Sequence, residues 1–83
     1  MKENIILDKT KKFSLGIIEI YKQIQSGREY ILPARLLRSA TSIGANVREA
    51  IAGQSKKDFY SKICIAFKES YETAYWLELL AES

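Results

Sequence analysis

Apolar residues return at three- and four-residue steps in three stretches of the chain, each set off by a short break. That spacing is the signature of a helix with one buried face. The first stretch runs over residues 5–25, with Ile6, Phe13, Ile17, Ile20, Tyr21 and Ile24 on one side and Lys9, Lys11, Lys12, Glu19 and Lys22 filling much of the rest. Ser26-Gly27-Arg28 then predicts a stop, because Gly27 suits the left-handed conformation that follows a helix C-terminus. Residues 29–32 read as a connector, and Pro33 fits the first turn of a second helix over 33–52. Leu36, Leu37, Ala40, Ile43, Gly44, Val47, Ala50 and Ile51 give that helix a broad apolar face. The small residues Ala40, Gly44 and Ala45 predict a close approach by a neighbouring backbone.

Gly53-Gln54 closes the second helix, and Ser55 with Asp58 three residues on nearly matches a capping box, so a third helix is predicted over 56–82. Its expected stripe is Phe59, Ile63, Ala66, Phe67, Ser70, Ala74, Leu77 and Ala81, widened by Tyr60, Cys64, Tyr71, Tyr75 and Trp76. A face that broad calls for two neighbours, or for one neighbour and a partner subunit. Glu78 and Glu82 stand where the helix dipole disfavours negative charge, and no capping glycine or basic residue follows. The last helix therefore reads as cut short.

Eighty-three residues allow a single domain, 1–83. On area scaling, apolar burial for a chain of this size contributes about 130 kcal/mol. Ordering its residues costs about 125 kcal/mol. A lone subunit is marginal, which favours self-association. Charge is uneven. Residues 1–68 carry all 13 basic and six acidic side chains, whereas 69–83 carry Glu69, Glu72, Glu78 and Glu82 and no base. Such a split suits contact between copies as well as it suits an anionic ligand. No apolar run approaches the ~20 residues needed to cross a bilayer. The N-terminal stretch lacks the pattern of a secretory signal, and Cys64 is the single cysteine, so a cytoplasmic, reducing setting and no membrane role are expected.

Catalysis is not expected. Histidine is absent, which removes the usual proton shuttle and the commonest metal ligand. Glu69 and Glu72 lack the histidine of a di-metal motif, and no phosphate-cradling glycine loop occurs. No catalytic residue, metal site or cofactor is therefore assigned. Cys64, within an apolar helical stretch, reads as a structural thiol. The basic side chains offer more. Arg38 and Arg48 flank Thr41 and Ala45 on a stripe opposite the apolar face, with Arg35 a turn earlier and Lys56 and Lys57 opening the third helix. These five are the candidate nucleic-acid contacts, by charge and guanidinium geometry, against the plainer reading of a solvated surface. Tyr75 and Trp76 cannot both enter one core, so Tyr71, Tyr75 and Trp76 are the candidate oligomer interface. Asn46 and Glu49 are expected in a structural polar role, with a cross-helix hydrogen bond for the Asn46 amide.

The run from Leu36 to Ala50, LLRSATSIGANVREA, then Gly53 to Phe59 (GQSKKDF) and Ala66 to Leu77 (AFKESYETAYWL), resembles a bacterial family of four-helix-bundle proteins. Its members were first noticed as reading frames in intervening sequences of 23S ribosomal RNA genes. The likeness covers nearly the whole chain and is most specific from Arg38 to Glu49. It implies an all-α, antiparallel up-and-down bundle and a ring of five copies. It implies no catalysis. It also implies a relative, the accessory variability determinant of diversity-generating retroelements, that works with a reverse transcriptase and nucleic acid. Family members continue into a fourth helix, which is missing after Ser83. The expected architecture is therefore three helices of a four-helix plan, in a homo-oligomer that contacts RNA or DNA or, alternatively, docks a partner protein.

Overall fold

The computed structural model describes residues 2–24 and 31–82, with side chains from Ile5 onward. It contains three helices, α1 (Lys2–Ile24), α2 (Ile31–Ala52) and α3 (Lys56–Glu82), and no strand among the described residues. The all-α antiparallel expectation holds. The Gly27 stop lies outside the described residues. Pro33 stands in the first turn, as its sequence position suggests, but α2 opens two residues earlier, at Ile31. Proline costs nothing at that point, because the first N–H groups of a helix have no intrahelical partner. The α2–α3 break forms as expected. Ser55 Oγ accepts from the Asp58 amide at 3.1 Å, and the Gly53 amide reaches back to the Ala50 carbonyl at 3.2 Å.

α2 is the spine. α1 and α3 each pack along it, and none of their Cα atoms comes within 8 Å of the other's among the described residues. One end of the molecule joins Ile20 and Ile24 of α1, Pro33 and Leu36 of α2, and Leu77, Leu80 and Ala81 of α3. The opposite end joins Ile6, Ile43, Val47, Ile63 and Ala66. The outer helices thus run parallel to each other and antiparallel to α2. Ile17, Leu36 and Ala40 form the buried core, with Leu37, Trp76 and Leu80 packed on it.

The inward residues repeat every 3.5 residues rather than 3.6. They are 7, 10, 14, 17, 21 and 24 on α1; 33, 36, 40, 43, 47 and 50 on α2; and 63, 66, 70, 73 and 80 on α3, with 6, 13 and 20 of α1 and 59 and 77 of α3 exposed beside them. This heptad spacing belongs to left-handed bundles. It also corrects the stripe expected for α3. Thr73 is buried and Leu80 half-buried, while Ala74 and Ala81 are exposed. Stepping four residues from Ser70 follows hydrophobicity; the structure steps three and buries a threonine. The Thr73 hydroxyl finds Ser39 Oγ at 2.9 Å and the Glu69 carbonyl at 2.8 Å, so no polar side-chain atom is left stranded at this seam.

The chain exposes 6254 Å². A compact monomer of its mass exposes about 5,050 Å² on area scaling. The radius of gyration, 13.9 Å, likewise exceeds the ~11.8 Å expected for this length. Three helices in an open arc cannot close on themselves.

Gly16 sits on the exposed side of α1 without positive φ, and a Cβ there meets nothing within 4 Å. Gly16→Ala should raise stability by about 1 kcal/mol. In thermal unfolding that is an upward shift of about 4–8 °C. A lowered midpoint would mean that this surface of α1 is packed rather than open.

Candidate functional site

The heptad stripes of all three helices converge on one trough floored by α2. Its floor is closed: Leu36, Ala40 and Val47 are at most 4% exposed. Its walls are not. Ile6, Phe13 and Ile20 of α1, with Phe59 and Leu77 of α3, keep large exposed areas beside the covered stripes. Two hollows mark its ends, about 420 Å³ beside Leu36 and Leu80 and about 230 Å³ beside Val47 and Phe67. On the α3 rim the aromatics stand in edge-on or tilted pairs: Phe59 with Tyr60, Phe67 with Tyr71 at 5.0 Å, and Tyr75 with Trp76. Tyr60, Phe67, Tyr71 and Tyr75 are all more than half exposed. Of the three residues expected at an interface, Tyr71 and Tyr75 face outward, while Trp76 is half-buried on the core cluster. Cys64 is exposed on this helix rather than packed, against the structural-thiol expectation.

The five basic candidates do not form one stripe. Arg38 turns toward α3 and is held by two carboxylates: its Nη1 and Nη2 donate to Glu69 at 3.1 and 3.0 Å, and Nη2 donates to Glu72 at 2.7 Å. The Glu72 carboxylate also accepts from the Trp76 indole at 2.8 Å, and the Arg35 guanidinium lies 5.7 Å from the Trp76 ring centre. Arg38 therefore serves as a clamp between α2 and α3, its charge matched within the molecule. Arg48 faces the opposite seam, toward α1. Lys56 and Lys57 stay exposed at the start of α3. Among the described residues, Arg48, Lys56 and Lys57 pair with no carboxylate, whereas Glu49 pairs with Lys62 of α3 at 2.9 Å. Asn46 does not cross between helices: its amide donates to the Ser42 carbonyl at 2.9 Å and to Ser42 Oγ at 3.1 Å. The carboxylate clamp was the feature sequence reasoning missed. The available signal was Glu69 and Glu72 three apart on the acidic end of α3, facing a basic α2.

The clamp carries a pH signature. Glu72 is held below its ordinary value of 4.5, first by the Trp76 N–H and then by Arg38, against the opposing effect of burial. Glu69 and then Glu72 push Arg38 further up, so it stays charged. A depressed carboxyl stabilises the fold above its unfolded value and loses that contribution as pH falls through the folded one. Trp76 fluorescence should therefore change below about pH 4.5 in the natural protein, with stability falling alongside, and Glu72→Gln should flatten the change. Identical acid profiles would remove the Glu72–Trp76 bond from the account.

A family model described as "23S rRNA-intervening sequence protein" matches residues 2–83. The chain belongs to this family. The structure is similar to a solved protein of unknown function from the S23 ribosomal protein family of Bacteroides thetaiotaomicron VPI-5482. That protein is 47% identical, with a TM-score of 0.93, and the match covers 99% of this chain and 74% of the other. No curated protein matches. No helix described here is long and apolar enough to cross a membrane.

Proposed function

We propose that this intervening-sequence family protein is a non-catalytic assembly module, whose trough receives a fourth helix and whose α3 aromatic rim packs against further copies. The trough carries the reading: three heptad stripes point at a space that none of the three helices fills. The family likeness supports a fourth helix there, and a ring of five is the arrangement it implies. Charge supports contact between copies, since the acidic end of α3 complements a basic remainder. Light scattering at micromolar concentration tests the assembly. Masses at multiples of 9.5 kDa are expected, and a single 9.5 kDa species would overturn it.

A second reading, contact with RNA or DNA, has its own support in Arg48, Lys56 and Lys57, cations without a carboxylate partner among the described residues. Arg35, stacked on Trp76, adds a fourth positive charge on another face. Arg38, with both carboxylates on it, adds little. On this reading binding to structured RNA weakens steeply with salt. Absence of binding by folded protein at low ionic strength would leave the assembly role alone.

A further inference from the structure

On the far side of the α1–α2 seam from the trough lies a notch of about 280 Å³, lined by Leu7, Thr10, Lys11, Ser14, Gly44 and Arg48, with Ala45 at its edge. Its composition differs from that of the hollows in the trough. Two cations reach it from different helices, and neither has a carboxylate partner among the described residues. The nearby carboxylates are engaged elsewhere, Asp8 with Lys12 and Glu49 with Lys62. Two like charges beside one small hollow repel, and the repulsion is relieved by an anion between them.

The hydroxyls sharpen this. Thr10, Ser39, Thr41 and Ser70 each donate to a carbonyl of the preceding turn. Ser14, half-buried in the notch wall, makes no such bond among the described residues and keeps its O–H to donate. Gly44 opens the floor. A Cβ there would stand 3.4 Å from the Thr10 carbonyl oxygen and 3.5 Å from Ser14 Oγ, so a side chain would occupy the space beside the hydroxyl.

We infer that this notch binds a phosphate group, with the Arg48 guanidinium and the Lys11 ammonium supplying charge and Ser14 Oγ donating a hydrogen bond. The phosphate comes either from a nucleic-acid backbone or from a free nucleotide or phosphate ion. The first source rests on the nucleic-acid reading above, and the notch itself does not. Because the notch lies across the seam from the trough, a helix filling the trough leaves it open.

Amide chemical shifts of the full chain, recorded with inorganic phosphate, then a mononucleotide, then a short structured RNA, test this. Phosphate should move the amides around Lys11, Ser14, Gly44 and Arg48 and saturate. Arg48→Gln and Ser14→Ala should each weaken that binding, Arg48→Gln by about tenfold or more, while Lys68→Gln, on α3 outside the notch, should not. RNA binding weakened by the same two variants places a backbone phosphate in the notch. Saturation by phosphate or nucleotide without RNA binding supports the site and overturns the nucleic-acid reading. No saturable phosphate effect at these amides, or phosphate effects equal in Lys68→Gln, overturns the notch, and RNA binding indifferent to both variants overturns the nucleic-acid backbone as its source. Both substituted side chains line an open hollow, so unchanged circular dichroism is expected and serves as the folding control.

Discussion

Replacing Leu36 with alanine should cost about 3 kcal/mol, within the 2–5 kcal/mol span of buried leucine truncations. Leu36 is 1% exposed and joins Ile17 and Ala40 at the centre of the only buried apolar cluster found among the described residues. Both outer helices meet there: Ile17 arrives from α1, and Trp76 and Leu80 from α3. The lost side chain would leave a cavity that neither outer helix can collapse into without sliding along α2. A domain of this length has a total stability of roughly 4–12 kcal/mol, so the loss is a large part of it. Denaturant unfolding followed by Trp76 fluorescence gives the number. Leu77→Ala is the contrast. Leu77 stands on the trough wall at 37% exposure, and its truncation should cost roughly half as much or less. Equal losses at both positions would mean that the floor and the wall are equally buried, and that the trough is not open.

Introducing glutamate at Phe67 and Tyr71 together should weaken self-association by about 100-fold, close to 2.7 kcal/mol. The two rings lie edge to face at 5.0 Å and are 61% and 68% exposed, so together they form an apolar surface that their own chain leaves mostly uncovered. Exposed aromatic pairs are the kind of anchor that dominates subunit interfaces. Two added carboxylates would also lie beside Glu69 and Glu72 on an already acidic stretch. Because neither ring is in the core, helicity and the monomer's thermal midpoint should hold, while the mass by sedimentation falls. Unchanged mass would move the interface away from this rim.

The helices were legible because their signals are local. The Ser55 cap, the breaks around Gly53 and the apolar steps of α2 each act within a turn or two, and the structure places them within two residues of expectation, save the start of α1, three residues earlier than read. The tail of the α3 stripe was not legible. Thr73 is polar by composition, and it turns inward where Ser39 of α2 offers its hydroxyl at 2.9 Å. Arg38 shows the same gap more sharply. Along the chain it belongs to a cationic stripe with Arg48; in space its partners are 31 and 34 residues away. The ion pairs remove it from that stripe and turn it into a brace between helices.

Local propensity and apolar spacing were enough to establish three amphipathic helices, the break between α2 and α3, and a basic body with an acidic end. Which charges remain unpaired depended on how the helices face one another. So did the separation of Arg48 from Arg38 onto different seams and the alignment of three stripes along one trough. Hydrophobic periodicity is a property of neighbours in sequence, whereas charge compensation and shape arise between residues brought within a few ångströms by packing.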